Sequence, residues 1–352
     1  MSKTLFLRCA GLPCATVVAA LLAAATWGAE PGSEAAGLKY FAHPDGTNYF
    51  ALSVKPPAAT AAAGPHDVVI VVSTSASQID EYRTKSLEAL QSVLAGLGAE
   101  DRVRLIAADL DAVPLTKGFV APNSAEMTAA IAALQQRTPL GSNDMEKALT
   151  TAAASFGASA KNPRALIYIG EGSSRANVIS PEKYEKLVTS LAEQRIPVIG
   201  YGVGPRVDQQ MLGSLAQQTG GTVIDDGKNV TAADAGRQLA TAANAAVSWP
   251  SVAKWPAEMG EVFPKAMPPL RSDRDTVLIG TLKGKGPMQI DATVDGPGGV
   301  RKVSWNVTPE KANEDYNYLT SLVGQARMDG GLSLPHWPRD QLPIKRRPSK
   351  IF

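Results

Sequence analysis

The sequence has few of the residues that support thiol chemistry or histidine-based catalysis. It contains two cysteines and three histidines in 352 residues, and both cysteines, Cys9 and Cys14, lie near the amino terminus. Beyond them the chain has no thiol, so it depends on neither disulfide bonds nor thiol chemistry. The histidines are His43, His66 and His336. All of them lie in linkers or in the tail, where we expect solvated side chains.

An excess of charge of one sign is also lacking. The chain has 35 basic and 33 acidic residues, and Lys3 and Arg8 belong to the amino-terminal segment. Without those two residues the charges balance. A net charge near zero argues against nucleic acid as a partner, because proteins that bind nucleic acid carry a basic surface.

Long apolar runs are absent except at residues 15–25, which are rich in alanine, leucine and valine. This run follows Lys3 and Arg8 and precedes small residues at 26–29, which is typical of a secretory signal. It is too short and too alanine-rich to favour a membrane span. We predict a signal peptide over residues 1–29, cleavage between Ala25 and Ala29, and no membrane span in the mature chain. The protein is then exported to the periplasm, the cell surface or the medium.

Proline, glycine and composition shifts divide the rest of the chain into segments. Residues 58–65 form a linker of small residues, whereas residues 335–352 are basic and rich in proline. Such a tail is expected to be disordered. The predicted segments are a lead with one strand and a linker (30–65), an α/β domain (66–247), a small β domain (248–310), a short helix (311–332) and the basic tail (333–352).

The α/β domain begins with a run of five β-branched residues at 68–72, followed by apolar residues at helical spacing between Ile79 and Leu97. A continuous apolar run of this length indicates a strand that is buried on both faces. Strand and helix patterns then alternate, which predicts a doubly wound, mainly parallel sheet with helices on both faces. Residues 103–110 and 115–120 are separated by a short connection, so we expect an antiparallel pair at one edge.

The pattern changes after residue 248, where three strand-like runs follow one another without helices. They lie at residues 276–282, 288–294 and 300–307. This succession predicts a small antiparallel unit. We expect the early strand at 50–55 to join it, so that the α/β domain is inserted in the β domain. A short helix is predicted over residues 313–327.

Three serines, Ser73, Ser75 and Ser77, follow the first strand of the α/β domain. In open α/β sheets, ligands bind at the carboxyl ends of the strands. Two interpretations stay open from the residues alone. The serines belong to a binding site, or they are structural. In the second case Ser77 and Asp80 form a capping box, and the other hydroxyls satisfy turn amides.

Residues 66–247 resemble a von Willebrand factor type A domain, which has a Rossmann-like fold. Members that bind metal carry Asp-x-Ser-x-Ser after the first strand, a threonine in a second loop and an aspartate after the fourth strand. Here Ser73 stands in place of the first aspartate, Ser142 in place of the threonine and Glu171 in place of the last aspartate. The resemblance therefore implies a degenerate metal-ion-dependent adhesion site.

The candidate metal ligands are Ser73, Ser75, Ser77, Ser142 and Glu171, with Mg²⁺ or Mn²⁺ as the possible ions. Asp109 or Asp144 is expected near the same rim. Two alternatives stay open, a weak site completed by a carboxylate of the partner and a metal-free structural turn.

The flanks support the same resemblance. Residues 268–280 are similar to the β segment that follows the type A domain in inter-α-trypsin-inhibitor-like proteins. The strand at 49–56 is similar to the one before that domain.

The expected function is an exported protein-interaction or adhesion module that binds a protein partner at the strand-end face. The alternatives are a structural scaffold with a vestigial metal site and, third, a secreted hydrolase. We expect that the protein is not an enzyme, because the sequence lacks a Gly-x-Ser-x-Gly elbow. The glycines at 200, 202 and 204 lack the dinucleotide-binding spacing. Neither the identity of the partner nor the oligomeric state follows from the sequence.

Overall fold

A computed structural model describes residues 36–56, 64–157, 162–227 and 230–335. The predicted signal peptide lies outside these residues, as do most of the linker and most of the basic tail. In chain order the elements are β1 (Ala36–Ala42), β2 (Asn48–Val54), β3 (Asp67–Ser73), α1 (Asp80–Gly96), β4 (Arg102–Ala108), β5 (Ala112–Pro114), α2 (Ala125–Gln136), α3 (Met145–Ala154), β6 (Arg164–Gly170), α4 (Pro181–Glu193), β7 (Val198–Gly202), α5 (Gln209–Thr219), β8 (Thr222–Asp225), α6 (Ala232–Ala243), β9 (Val247–Lys254), β10 (Met259–Phe263), β11 (Leu270–Arg271), β12 (Thr276–Leu282), β13 (Met288–Gly296), β14 (Gly299–Val307) and α7 (Leu319–Asp329).

The central sheet has six strands in the order β5-β4-β3-β6-β7-β8. Neighbouring strands are parallel, except that β4 and β5 are antiparallel. The predicted antiparallel edge is therefore present, but its strand is Ala112–Pro114 and not residues 115–120. The turn after β4 is tight, with the Asp109 amide donating to the Asp111 carbonyl at 2.9 Å. Pairing consequently begins earlier than predicted, and Val120 adds one isolated bridge to Val103.

Helices cover both faces of this sheet, as predicted. All seven residues of β3 are buried, and its five apolar side chains alternate between two cores. Val68, Ile70 and Val72 pack with residues of α1, α2 and α6. Val69 and Val71 pack with residues of α3, α4 and α5. The β-branched run is thus buried on both faces because each face carries its own helical layer.

Two four-stranded antiparallel sheets form the β unit, in the orders β1-β2-β12-β10 and β11-β9-β13-β14. Their facing sides enclose a core that includes Leu52, Leu278 and the fully buried Trp305. Strand β2 pairs with β12, with Leu52 opposite Leu278. This pairing confirms that the early strand joins the later sheet and that the α/β domain is inserted between them.

Strand β1 departs from the sequence-based prediction, which placed only one strand in residues 30–65. It pairs antiparallel with β2 along its whole length. Tyr40 packs into the core between the sheets, whereas Phe41 packs on the outer face with α7. Because Tyr40 and Phe41 are both buried although they lie on opposite faces, the sequence lacks the alternation that marks a half-exposed strand.

The outer face of the first sheet is covered by α7 through Leu319, Val323 and Ala326. This helix begins at Leu319, six residues later than predicted, because residues Glu314–Tyr316 form a separate 3₁₀ turn. The side chain of Asn313 starts that turn by accepting from the Asp315 amide at 2.9 Å.

Within the described ranges, no helix is long and apolar enough to cross a membrane.

His66 is buried, in contrast to the solvated position expected for it. Its side chain is 4% exposed because β3 begins at the next residue and carries His66 into the domain. The His66 Nδ1 atom lies 3.8 Å from Asp101 Oδ1. Burial lowers the pKa of His66 below its usual value, and the nearby Asp101 opposes that shift.

The two units of the molecule are joined by Arg271, whose side chain is fully buried. Its guanidinium donates to the Gly220 carbonyl at 3.1 Å and to the Ala242 carbonyl at 2.9 Å. Asp273 accepts two further bonds from it, at 2.8 and 2.6 Å. The charge is thus compensated where the β unit meets the ends of α5 and α6.

Candidate functional site

The carboxyl ends of β3 and β6 lie side by side, since the two strands are parallel neighbours. Ser73 is the last residue of β3, and Glu171 directly follows the last residue of β6. Gly170 permits this approach, because a Cβ atom there would lie 2.5 Å from the Ser73 Cβ. Its φ of 154° also lies in the region that favours glycine. Two of the sequence-predicted site positions are therefore adjacent.

The side chains of the three serines and Glu171 form one continuous row of oxygen–oxygen contacts, in which the single Ser75 proton serves only one of the two Ser75 contacts. The hydroxyl oxygens of Ser73 and Ser75 are 3.1 Å apart, and those of Ser75 and Ser77 are 3.0 Å apart. The Ser77 hydroxyl then donates to Glu171 Oε2 at 2.8 Å. Ser73 is fully buried, and Glu171 is 4% exposed. The structure therefore brings together four of the five sequence-predicted site residues.

Both carboxylate oxygens of Glu171 are satisfied within the protein. Oε1 accepts from the backbone amide of Arg206 at 3.1 Å, while Oε2 is held by Ser77. Gly204 leaves room for the side chain, because a Cβ atom at that position would lie 2.3 Å from Glu171 Cγ. The carboxylate is thus fixed by strand ends on two sides, which compensates for its burial.

The opposite end of the chain of hydroxyls leads to Asn143 and Tyr168. Ser73 Oγ donates to Asn143 Oδ1 at 3.1 Å, and Asn143 Nδ2 donates to the Tyr168 hydroxyl at 3.4 Å. Burial raises the pKa of Tyr168 well above its ordinary value, so its hydroxyl stays neutral. Ser142, the residue expected here, is half-buried beside Asn143. The side chain that bonds to Ser73 from this loop is that of Asn143.

Ser77 does not form the capping box considered above. Helix α1 begins at Asp80, with Ile79 as its N-cap and no side-chain cap. The Ser77 hydroxyl instead donates to Glu171 Oε2. The turn interpretation holds in part for Ser73, whose Oγ accepts from the Ser75 amide at 3.4 Å.

The two aspartates expected near the rim have other partners. Asp109 Oδ2 accepts from Thr74 Oγ1 and from Arg137 Nη2, both at 2.8 Å. Burial tends to raise the pKa of Asp109, but the hydrogen bonds from Arg137 and Thr74 outweigh it, and the pKa is lowered. Asp144 caps α3 by accepting from the Lys147 amide at 2.9 Å.

The donor set at this site does not fit a divalent cation. Mg²⁺ and Mn²⁺ prefer several oxygen ligands that include carboxylates, which offset the charge of the ion. The hydroxyl chain ends in a single carboxylate, and both oxygens of Glu171 already accept hydrogen bonds. Over the described part of the chain, no group of three acidic, histidine or cysteine side chains is placed to hold a metal. A metal here would carry an uncompensated charge in a buried position.

Exposed apolar side chains lie at the same end of the sheet as the site. Among the described residues, four of the seven exposed large hydrophobic side chains lie on loops at this end of the sheet: Ile79 (50% exposed), Leu110 (54%), Leu140 (64%) and Val178 (83%). We call these four residues the apolar rim. Backbone hydrogen bonds of 3.0 Å connect the loops, from the Leu140 amide to the Thr74 carbonyl and from the Ala176 amide to the Asn143 carbonyl. The rim is therefore carried on connected loops.

Comparison with known proteins agrees with this architecture. Residues 66–224 match the family model described as von Willebrand factor type A domain. The structure of a von Willebrand factor type A protein from Catenulispora acidiphila is similar over 85% of this chain and 81% of its own, with 15% identity and a TM-score of 0.52.

Two further solved structures are similar to parts or most of the chain. The ArnB paralog VWA2 from Sulfolobus acidocaldarius is 14% identical over 85% of each chain, with a TM-score of 0.49. An aerotolerance-related membrane protein from Bacteroides fragilis is 18% identical over 51% of this chain and 99% of its own, with a TM-score of 0.42. Among curated proteins, no sequence matches.

Proposed function

Because residues 66–224 match the family model of the von Willebrand factor type A domain, we propose that this chain is an exported protein-interaction or adhesion module. Domains of this family are general protein-interaction modules. Its partner is a protein that binds at the strand-end face, and binding there needs no metal ion. In this proposal the polar cluster of Ser73, Ser75, Ser77 and Glu171 shapes the loops, and the contact is made by the apolar rim.

The observation that carries the proposal is the position of the apolar rim. Large exposed apolar side chains that gather in one place mark interaction sites, whereas isolated ones are ordinary. Leu110 packs against the loop that carries Leu140, since a Cβ atom on Gly141 would lie 3.0 Å from Leu110 Cγ. Leu110 and Leu140 therefore offer neighbouring apolar groups, and the buried core of a protein interface is apolar.

Photo-crosslinking in the source cells tests the proposal. Benzoylphenylalanine is placed at Leu140 or Val178 on the rim, and at Val252 or Val300 on the β unit as comparably exposed controls. We expect both rim positions to yield the same adduct and the controls to yield none. Adducts from the controls alone would reject the proposal and support a scaffold role instead.

A calorimetric titration with Mg²⁺ and Mn²⁺, after treatment with a chelator, tests the claim that no metal is needed. We expect no saturable binding up to millimolar metal and an unchanged melting temperature. Saturable binding that Ser142→Ala abolishes would instead establish an adhesion site completed by the partner's carboxylate.

The alternative of a structural scaffold rests on the β unit and α7. Met328 on α7 is 89% exposed, which offers a separate apolar contact for a larger assembly. Crosslinks from Met328, with none from the rim, would favour that alternative. A secreted hydrolase, the third candidate, requires turnover that is lost in Ser75→Ala. We propose no enzymatic role.

Export is part of the proposal and has its own test. The predicted signal peptide over residues 1–29 supports it. Sequencing the amino terminus of protein recovered from the cell envelope or medium should give a start between residues 26 and 30. An intact Met1 on soluble protein retained in the cytoplasm would contradict export.

A further inference from the structure

A cleft of about 800 Å³ lies between helix α4 of the α/β domain and the β unit. One wall is a side of α4 that carries Glu185 and Glu193. The other wall comes from β9, from residues 264–269 and from the end of α7, and it includes Trp249 and Met328. The residues of the strand-end site do not line this cleft, so it is a second surface of the molecule. Clefts between domains are common places for a ligand to bind.

An ion pair between the two units fixes one end of the cleft. Arg195, two residues after Glu193, donates to Asp295 Oδ2 at 2.6 Å. Asp295 of β13 lies opposite Trp249 of β9 in the second sheet. The half-buried indole of Trp249 and the exposed carboxylate of Glu193 therefore line the same end of the cleft.

Carboxylates outnumber cations along the cleft. The charged residues that line it are Glu182, Glu185, Glu193 and Asp329 on one side of the balance and Lys265 and Arg327 on the other. Arg327 is paired with Glu261, which accepts from it at 2.8 Å. Among the residues that the structure describes, Glu185 and Glu193 have no ion-pair partner. The charge of the cleft therefore favours a ligand with basic side chains.

The wall opposite α4 has few amides to offer to a bound strand. Pro250, Pro264, Pro268 and Pro269 line it, and proline has no backbone N–H. An extended ligand that needs no such pairing is a polyproline II segment, whose backbone remains hydrated. Segments of this kind bind in grooves that aromatic side chains line, and Trp249 supplies an aromatic surface here.

The spacing of the two unpaired glutamates matches this conformation. Glu185 and Glu193 both lie on α4, where eight residues rise by about 12 Å along the helix axis. Four residues of a polyproline II segment span about the same distance, at about 3.1 Å per residue.

We propose that the cleft binds a proline-rich segment of a protein partner that carries two basic side chains four residues apart. One basic side chain pairs with Glu185. The other lies between Glu193 and the indole of Trp249, where the carboxylate and the aromatic ring both attract a cation.

Fluorescence anisotropy with the full chain and two labelled peptides tests the proposal. The probe is Gly-Arg-Pro-Leu-Pro-Arg-Gly, in which the arginines are four residues apart. The control peptide, Gly-Pro-Arg-Leu-Arg-Pro-Gly, has the same composition, but its arginines are only two residues apart. We expect saturable binding of the probe and binding of the control peptide that is weaker by about tenfold, because the control cannot reach both glutamates at once.

Substitutions in the cleft give the second measurement. The double variant Glu185→Lys with Glu193→Lys should weaken binding of the probe by about tenfold or more, because two attractive charges become repulsive. Glu88→Lys is the matched control, since Glu88 is exposed on α1 and outside the cleft, and it should bind like the unaltered chain. Trp249→Ala should weaken binding several-fold. Far-UV circular dichroism verifies the fold of each variant, and the exposed Glu193→Gln keeps the test available where Trp249→Ala does not fold.

Three outcomes would overturn the proposal. Absence of saturable binding would show that the cleft does not take this kind of segment. Equal binding of the two peptides, or equal binding by the unaltered chain and the double variant, would reduce the contact to non-specific attraction between charges. A dimer in light scattering that the double variant dissociates would assign the cleft to a second copy of the chain.

Discussion

The buried polar side chains at the two ends of β3 have different kinds of partners. At the amino end, Asp67 is 1% exposed and forms an ion pair with Arg102. Arg102 donates to its two oxygens at 2.9 and 2.7 Å, and Asn162 adds a bond at 3.0 Å. At the carboxyl end, Ser73 is fully buried and neutral, and its hydroxyl bonds to other side chains.

The two ends of β3 differ in the kind of polar side chain that is buried there. An ion pair compensates the carboxylate at the amino end, where no ligand is expected in an open α/β sheet. At the carboxyl end a serine replaces the charged residue that the family resemblance implies, and a chain of hydroxyls ends at one carboxylate. The strand-end site is therefore a closed polar network, because its polar side chains are partners of one another.

The largest loss of stability is expected from a substitution at the amino end of β3. Asp67→Ala removes the acceptor of Arg102 and Asn162, so the free energy of unfolding should fall by about 3 kcal/mol. Asp111→Ala is the control, because Asp111 is exposed and pairs with an exposed Lys147, and its loss should cost less than about 1 kcal/mol. Urea denaturation measures both values. Equal losses would mean that burial does not strengthen the Asp67 pair.

The second-largest loss of stability is expected when a carboxylate is introduced at the carboxyl end of β3. Ser73→Asp places a second carboxylate in the buried cluster near Glu171, and in chelator it should lower stability by about 2 kcal/mol. Mg²⁺ should recover part of that loss, because two carboxylates then offset its charge. Thermal melting with and without Mg²⁺ measures this, and the unaltered chain should not respond. A response of the unaltered chain equal to that of the variant would contradict the closed network.

A smaller effect is expected from Glu171→Gln. The amide can still accept from the Arg206 amide and can donate to Ser77, whose hydroxyl chain then reverses its direction. The loss should stay below about 1 kcal/mol, whereas Glu171→Ala leaves both partners unpaired and should cost about 2 kcal/mol. Urea denaturation of the two variants distinguishes them. Equal losses would show that the charge itself, and not the hydrogen bonding, stabilises the site.

The smallest expected effect is a pH dependence of stability that comes from His66, next to the amino end of β3. Burial lowers the pKa of His66 below 6.5, so the unfolded chain takes up a proton before the folded chain does. Stability should therefore fall as the pH drops below about 6.5, by a few degrees in melting temperature. His66→Gln should reduce this slope between pH 7 and pH 5, whereas His43→Gln, at a partly exposed position, should not. An unchanged slope in His66→Gln would assign the dependence to other groups.

The α/β architecture could be predicted because the strands and helices of residues 66–247 carry strong local patterns. The run at 68–72 and the helical spacing after it correspond to β3 and α1. Strand β1 could not be predicted in the same way. Tyr40 and Phe41 are buried on opposite faces by α7 and the second sheet, and those partners come from distant parts of the sequence.

The candidate site was predictable in position and less so in its contacts. Ser73, Ser75, Ser77 and Glu171 lie after strands, and parallel neighbours bring those ends together. The role of Asn143 depends on how the 140–144 loop folds against Ser73, and its only sequence signal is its position beside Ser142. His66 was misplaced because its burial comes from Asp101 and the surrounding fold, which the sequence around position 66 does not encode.

The pairing of β2 with β12 also determines the order in which this molecule can assemble. Ser53 of β2 donates to Asp275, 222 residues away, at 2.6 Å. Closing so long a loop is slow unless the intervening chain is already compact. The α/β domain between them can fold first and bring its two ends together. During synthesis the β1–β2 hairpin therefore waits, without its partner strand, until most of the chain has left the ribosome.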